Sequence, residues 1–170
     1  MAMDSIDQVL MNSRLHFLGM AARARETAMK LAVLTCMDAR IDVSRLLGLQ
    51  PGDAHVIRNA GGRATDDAIR SIALSQAVLG TREVMVIHHT DCALGRLTQS
   101  EIADRIRAAT GHDFTDAVGC FGDPIQAIVD DVERLRGHSN LVFHDKIRGF
   151  MYDLLANSLT EVGSSPASSG

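Results

Sequence analysis

Three side chains that bind soft divalent metals stand directly after two predicted strands. Cys36 follows the apolar run LAVLT, and His89 and Cys92 follow the run EVMVIH within the segment HHTDC. Ligands in open α/β sheets bind outside the carboxyl ends of the strands, so two neighbouring strands would bring these residues together. Two thiolates and one imidazole suit Zn²⁺, and three protein ligands leave a fourth position for water, as in catalytic zinc sites. The sequence therefore predicts one zinc ion per chain, held by Cys36, His89 and Cys92.

His88 competes with His89 for the place of the imidazole ligand. Neighbouring strand residues point to opposite faces of a sheet, and the spacing of His89 and Cys92 gives a better chelating turn than the spacing from His88. These arguments favour His89. Taken singly, Cys36 is typical of a small buried apolar residue, and either histidine is typical of a hydrogen-bonded strand end. Only their combination at two strand ends favours a metal site.

A carboxylate and a guanidinium follow Cys36 at two-residue steps, as Asp38 and Arg40 in the segment CMDAR. A carboxylate so close to a metal can ligate it or accept a hydrogen bond from bound water, and a guanidinium can clamp that carboxylate through two parallel hydrogen bonds. An ordinary surface ion pair near the start of a helix explains the same spacing equally well. The residues alone leave both interpretations open.

The chain alternates between predicted strands and helices. Runs rich in Val, Ile and Leu predict buried strands at Leu31 to Thr35, Ala54 to Arg58, Glu83 to His88 and Asn140 to His144. Helical patterns cover Ile41 to Leu47, Asp66 to Leu79 and Pro124 to Arg136. After Gly149, the segment FMYDLLANSLTEV predicts a hairpin that adds an antiparallel edge strand. The order predicts an α/β fold with a mainly parallel central sheet of four strands plus that edge strand, and helices on both faces.

Length and composition predict a single soluble domain. The net charge of −4, with acidic and basic residues interspersed, disfavours nucleic acids and anionic membranes as partners. No run approaches the ~18 apolar residues of a membrane span, and no signal-peptide pattern opens the chain, so we expect a cytoplasmic protein. We expect one domain over residues 1–162, with an N-terminal helical arm at 1–30 and a flexible tail at 163–170. Within the arm, Leu10, Leu15, Phe17 and Leu18 need an apolar surface such as a second subunit.

Three motifs together resemble the β-class carbonic anhydrases. They are Cys-x-Asp-x-Arg as Cys36, Asp38 and Arg40, the segment HVIRNAGG from His55 to Gly62, and His-x-x-Cys as His89 and Cys92. They run in order from about Leu31 to Leu94, with looser agreement to about Tyr152. The chain is most similar to the small bacterial branch that also includes carbonyl sulfide hydrolases.

The resemblance implies a defined activity and site. In this family the two cysteines and the histidine bind zinc, and zinc-bound hydroxide hydrates carbon dioxide to bicarbonate. The Asp–Arg pair, here Asp38 and Arg40, orients that hydroxide, or lets the Asp close off the metal when the pair breaks. Gly61 falls where the family's backbone approaches substrate. The resemblance also implies a switch point between the first and third strands, and a homodimer or dimer of dimers onto which N-terminal helices wrap.

Two departures from the family pattern bear on these expectations. Ala93 stands where the family usually has Gly after the second Cys, which affects the backbone path there. Some members carry a regulatory bicarbonate pocket built on Trp, Arg and Tyr. Arg58 matches its Arg, but the chain has no Trp, so we do not expect this regulation.

Other activities compete with carbon dioxide hydration. Carbonyl sulfide and carbon disulfide are also linear, apolar substrates, and the same metal site could hydrolyse them. A structural zinc with Asp38 as a permanent fourth ligand is a non-catalytic alternative. Thiol phosphatases place five residues between Cys and Arg rather than the three found here, and no G-x-G-x-x-G follows a strand, so phosphatase and dinucleotide chemistry are disfavoured. We expect Cys120 to be a free thiol, and scattered surface or hydrogen-bonding roles for His16, His55, His112, His138 and His144.

Overall fold

The computed structural model describes residues 25–163 together with residues 5, 6 and 9. Most of the predicted N-terminal arm and nearly all of the predicted tail lie outside these residues, although residues 25–30 lead into the first strand as bends and turns. The strands are β1 Leu31–Cys36, β2 Ala54–Asn59, β3 Glu83–His89, β4 Ile147–Asp153 and β5 Ser158–Val162. The helices are α1 Val43–Leu47, α2 Asp66–Ala77, α3 Gln99–Thr110 and α4 Pro124–Arg136, with single 3₁₀ turns at Ala60–Gly62 and Ala93–Gly95.

The five strands form one sheet in the order β2-β1-β3-β4-β5. The first four run parallel, and β5 pairs antiparallel with β4, which confirms the predicted architecture. β1 lies between β2 and β3, so the chain reverses its direction across the sheet at β1. This is the switch point that the resemblance implies, and it is the place where open α/β sheets bind ligands.

Helices cover both faces of the sheet, as predicted. On one face, Leu34 of β1 packs in a cluster with Ile72 of α2 and Ile128 of α4. On the other face, Val33 packs in a second cluster that includes Val43 of α1. β1 is thus buried on both sides, which explains its continuous apolar run.

The prediction of a strand at Asn140 to His144 is wrong. These residues form a loop whose backbone groups bond to a side chain rather than to a neighbouring strand. The amide of Gln76 accepts from the N–H groups of Val142 and Phe143 at 2.9 and 3.1 Å and donates to the Phe143 carbonyl at 3.0 Å. Leu141 is buried, so the apolar composition reflects packing of a loop. Composition alone cannot separate these two cases.

The fourth parallel strand is instead β4, which begins at Ile147 and takes up the first arm of the predicted hairpin. β5 is the second arm and forms the antiparallel edge as predicted. Gly149 suggested a break before the hairpin, but it lies inside β4. A Cβ there would lie 2.3 Å from Cγ2 of Ile128, so the glycine allows α4 to pack closely on the sheet.

The turn after β2 lies directly against the end of β1. Gly62 has φ +70°, and a Cβ there would lie 2.8 Å from the backbone N of Cys36. Asn59 closes this turn, because its side chain accepts from the Arg63 N–H at 2.9 Å and donates to the Arg63 carbonyl at 2.7 Å. Thr65 then caps α2 by accepting from the Ala68 N–H. The glycine-rich segment thereby lets one backbone approach another beside the first cysteine.

We predict that Gly62→Ala destabilises the protein more than Gly111→Ala. Gly111 has φ +76° and open space around its Cα, so alanine there incurs only the left-handed backbone strain of about 1–2 kcal/mol. At Gly62 the same strain is joined by overlap with the β1 backbone, which adds about 1–3 kcal/mol. Urea unfolding of both variants measures the difference. Equal losses of unfolding free energy would show that the close approach contributes nothing.

Candidate metal centre

The structure brings Cys36, His89 and Cys92 into one group. Their ligand atoms all lie within 4.8 Å of one another, and all three residues are buried. Cys36 is the last residue of β1 and His89 the last of β3, and Cys92 follows after a short turn. Because β1 and β3 pair in parallel with Thr35 opposite Ile87, their carboxyl ends are adjacent. The group is therefore a direct product of strand pairing at the switch point.

The turn from His89 to Cys92 is anchored through Thr90. The Thr90 N–H donates to the Tyr152 carbonyl at 2.9 Å, and the Thr90 hydroxyl accepts from the Leu154 N–H at 3.0 Å. These bonds tie the turn to β4 and to the loop that follows it. After Cys92 a 3₁₀ turn begins with Ala93, at the position where the resemblance predicts Gly. Thr90 thus fixes the start of the turn that leads to Cys92.

The hydrogen bond of His89 fixes which of its nitrogens faces the thiols. Nδ1 lies 2.9 Å from the Thr90 carbonyl, which can only accept, so Nδ1 carries the proton. Nε2 then keeps its lone pair, and it is buried without a hydrogen-bond partner among the residues that the structure describes. A buried imidazole nitrogen without a partner, next to two thiols, fits a metal ligand.

The two thiols share one proton. The hydrogen bond from the Cys92 thiol lowers the pKa of Cys36 to about 4 against the effect of burial, and the His89 ring and the backbone N–H groups of Asp38 and Gly61 add smaller lowering effects. The same hydrogen bond and burial raise the pKa of Cys92 well above its usual range. One thiolate is therefore present at neutral pH, and a cation that binds both sulfurs displaces the second proton. This donor set fits Zn²⁺ by charge and by softness.

Asp38 and Arg40 form a two-point ion pair beside this group. Nε and NH2 of Arg40 donate to the two carboxylate oxygens of Asp38 at 3.0 and 2.7 Å, and the Arg40 backbone N–H donates to the same carboxylate at 2.9 Å. These bonds hold the pKa of Asp38 well below its usual range. Oδ2 of Asp38 lies 4.0 Å from Nε2 of His89, so an ionised carboxylate stands next to the free ligand nitrogen.

Gly61 and Arg58 support the segment that carries Cys36. Gly61 is buried with φ +78°, and its backbone N–H helps to lower the pKa of the Cys36 thiol. Arg58 donates to the backbone carbonyls of Cys36 and Asp38 at 3.0 and 2.7 Å. Both residues therefore fix the path of the chain at the end of β1.

His88 lies outside the group and belongs to a separate buried network. Its Nε2 lies 3.0 Å from Oδ2 of Asp131, and Nε of Arg63 lies 2.8 Å from the same oxygen. Burial raises the pKa of Asp131, but the hydrogen bond from His88 and the charge of Arg63 outweigh it and leave the pKa lowered. Phe121 stacks on the His88 ring with a centroid distance of 5.6 Å. His88 is fully buried, so this network stabilises the end of β3 next to the candidate ligands.

Two charged partners escaped the sequence analysis. Asp131 lies 43 residues beyond His88, and no local spacing links them. Asp91 lies between His89 and Cys92 and binds Arg40 through its side chain at 2.8 Å. Its place between two candidate ligands was a signal that could have identified it. Among the other singled-out residues, Cys120 is a partly buried free thiol, and His55 is hydrogen-bonded to Ser75 at 2.7 Å.

Comparisons with known proteins show which family the chain is similar to. The family model described as carbonic anhydrase matches residues 31–118. β-Carbonic anhydrase 1 of Mycobacterium tuberculosis is 41% identical over 132 residues, which cover 78% of this chain and 81% of that protein. Carbon disulfide hydrolase of an Acidianus species is 35% identical over 154 residues, which cover 76% of each. The crystal structure of carbonic anhydrase from Streptococcus mutans superposes with a TM-score of 0.88 at 34% identity, over 96% of this chain and 100% of that one.

The two neighbouring histidines give a matched test of the metal ligands. We predict that His89→Leu abolishes stoichiometric zinc binding, because Nε2 is the lost ligand, and lowers the unfolding free energy of the protein without zinc by about 1 kcal/mol, because the Thr90 carbonyl loses the Nδ1–H donor. His88→Leu should keep the zinc and lower the unfolding free energy by about 1–3 kcal/mol, because Asp131 loses a buried donor. Elemental analysis and urea unfolding of both variants measure these effects. Zinc loss in His88→Leu with retention in His89→Leu would reverse the assignment.

Proposed function

The chain belongs to the β-carbonic anhydrase family, and on that premise we propose that it is a zinc enzyme that reversibly hydrates carbon dioxide to bicarbonate. The observation that carries the proposal is the convergence of the Cys36, His89 and Cys92 ligand atoms within 4.8 Å of one another, with an ion-paired Asp38 beside them. Three soft donors with one position left over suit a catalytic zinc. When bound, zinc would supply the acidity that makes water a nucleophile near neutral pH.

The residues of the chain have separate roles in this proposal. The two cysteines and the histidine hold the metal, and the two thiolates neutralise its charge. Asp38 is the acceptor for the hydrogen of the attacking water, because its lowered pKa keeps it ionised and able only to accept. A water that donates to Asp38 presents its oxygen lone pair to the carbon of the substrate.

Arg40 keeps Asp38 in its place as an acceptor. The two-point ion pair fixes both oxygens of the carboxylate, so rotation of Asp38 requires both bonds to break. Gly61 lies where its backbone borders substrate in this proposal, and its N–H stabilises the Cys36 thiolate. The Arg58 side chain holds the backbone between the ligand and the acceptor.

We also propose an assembly and a location. The open edge of the sheet at β2, with Val56 42% exposed, and the exposed Met37 support a homodimer or dimer of dimers. The arm at 1–30 would pack on the partner subunit, with residues 163–170 as a flexible end to a single domain over 1–162. Within the part of the chain that the structure describes, no helix is long and apolar enough to cross a membrane. A cytoplasmic location is proposed from composition.

Carbon disulfide or carbonyl sulfide hydrolysis is the alternative function. The match to the Acidianus relative named as a carbon disulfide hydrolase covers 76% of this chain at 35% identity, against 78% at 41% for the carbonic anhydrase relative. Both reactions need the same ligands and the same acceptor. We predict rapid bicarbonate formation from carbon dioxide and slow sulfide release from either sulfur substrate. Sulfide release with the higher kcat/KM would identify the protein as a hydrolase.

Substitutions at the site should separate metal binding from catalysis. We predict that Cys36→Ser loses both zinc and hydration activity, because the low-pKa thiolate is replaced by a weak hydroxyl donor. Asp38→Asn should keep zinc and lose activity by about 10²-fold or more, because the amide no longer acts as an ionised acceptor. Stopped-flow hydration assays with parallel zinc analysis measure both effects. Full activity of Cys36→Ser without stoichiometric zinc would refute the proposed function.

A further inference from the structure

Arg40 lies between two carboxylates, of which only one belongs to the CMDAR motif. Nε and NH2 of its guanidinium bind Asp38. On the other side, NH1 donates to Oδ2 of Asp91 at 2.8 Å and NH2 donates to the Asp91 backbone carbonyl at 3.1 Å. Asp91 is itself ion-paired with Arg96. The guanidinium is therefore held from both sides, and its second holder comes from the turn between His89 and Cys92.

The position of this holder matters because Asp38 is close enough to interfere with a metal. Its Oδ2 lies 4.0 Å from Nε2 of His89, the nitrogen that faces the two sulfurs. Carboxylate oxygens are good zinc ligands, so a free Asp38 would compete for the fourth coordination position. The bonds from Arg40 engage both oxygens of the carboxylate, and they do so only while Arg40 itself stays in place.

The backbone conformation of Asp91 allows both of its bonds to Arg40. Its φ of +61° lies in the left-handed region, which few residues other than glycine adopt and which aspartate tolerates. In this conformation both the side chain and the carbonyl of Asp91 bind the same guanidinium. The turn that carries two of the three candidate ligands thus also fixes the arginine.

We propose that Asp91 is a positioning residue that anchors Arg40 and thereby keeps Asp38 out of the fourth coordination position. This inference rests on the proposed metal site and function. The side chains of Arg40 and Asp91 are 50% and 39% exposed, so solvent weakens each ion pair. The anchor acts through the geometry of a planar group bonded on two sides, which is the property that distinguishes arginine from a simple charge.

The test measures two quantities that both require an open fourth position. In Asp91→Gly the backbone conformation is retained without strain, but the side-chain anchor is lost. We expect kcat for hydration to fall by about two- to fivefold with KM unchanged, because part of the population has Asp38 on the metal. Azide binding to the cobalt-loaded protein, followed by visible absorption, should weaken by the same factor, because azide competes with Asp38 for that position. Asp91→Asn, which keeps one neutral acceptor, should show a smaller effect of the same kind.

Two further variants make the test specific. Asp113→Asn removes an exposed, ion-paired aspartate far along the chain, and it should leave kcat and azide affinity unchanged. When Asp38 is replaced first, as in Asp38→Ala, adding Asp91→Gly should no longer weaken azide binding, because the competing carboxylate is absent. A kcat that falls without a matching loss of azide affinity, or an azide effect that persists without Asp38, would overturn the inference.

A parent protein that binds azide normally but hydrates no carbon dioxide would refute the proposed function. The role of Asp91 would then be tested by azide binding alone.

Discussion

The parallel pairing of β1 with β3 is the constraint on which the candidate site depends. Thr35 lies opposite Ile87, so the last residues of the two strands, Cys36 and His89, lie close together at the same edge of the sheet. A shift of one residue in this register would exchange the faces of the sheet and place His88 where His89 lies. The buried apolar residues on both sides of β1 oppose such a shift, because each would move into the wrong cluster. Core packing and metal geometry are therefore fixed by the same register.

Near the paired ends of β1 and β3 lie several polar groups whose burial without a partner would lower the stability of the fold. Two thiols, an imidazole whose Nε2 has no hydrogen-bond partner within the described part of the chain, and the carboxylate of Asp38 lie together at the ends of two strands. Hydrogen bonding between Cys36 and Cys92 and the ion pair of Arg40 with Asp38 offset part of the cost of burying these groups. A divalent cation that binds both sulfurs would displace the proton between them and would add a bond to Nε2 of His89. Because the three ligand atoms lie within 4.8 Å of one another, binding one ion would require little rearrangement of the chain.

The sequence carried some of these features more clearly than others. Continuous runs of Val and Ile are typical of buried parallel strands, so β1 and β3 were predictable. The ligand group was predictable because open α/β sheets bind ligands at the carboxyl ends of their strands. β4 was not, because Gly149 interrupts its pattern to admit Ile128, whereas the loop at Asn140 to His144 has strand-like composition. The partners of charged groups were the least predictable part. Asp131 pairs with His88 through tertiary packing alone, and no spacing in the chain encodes such a contact.

The central claim is that three side chains hold one metal ion and leave a position for solvent, and a crystal structure of the zinc-loaded protein tests it most directly. We predict one zinc ion per chain, bonded to the sulfurs of Cys36 and Cys92 at about 2.3 Å and to Nε2 of His89 at about 2.0–2.1 Å. A solvent oxygen should occupy the fourth position, with Asp38 still paired to Arg40. Zinc bound elsewhere, or bonded through Nε2 of His88, or closed off by the Asp38 carboxylate as a permanent ligand, would contradict it.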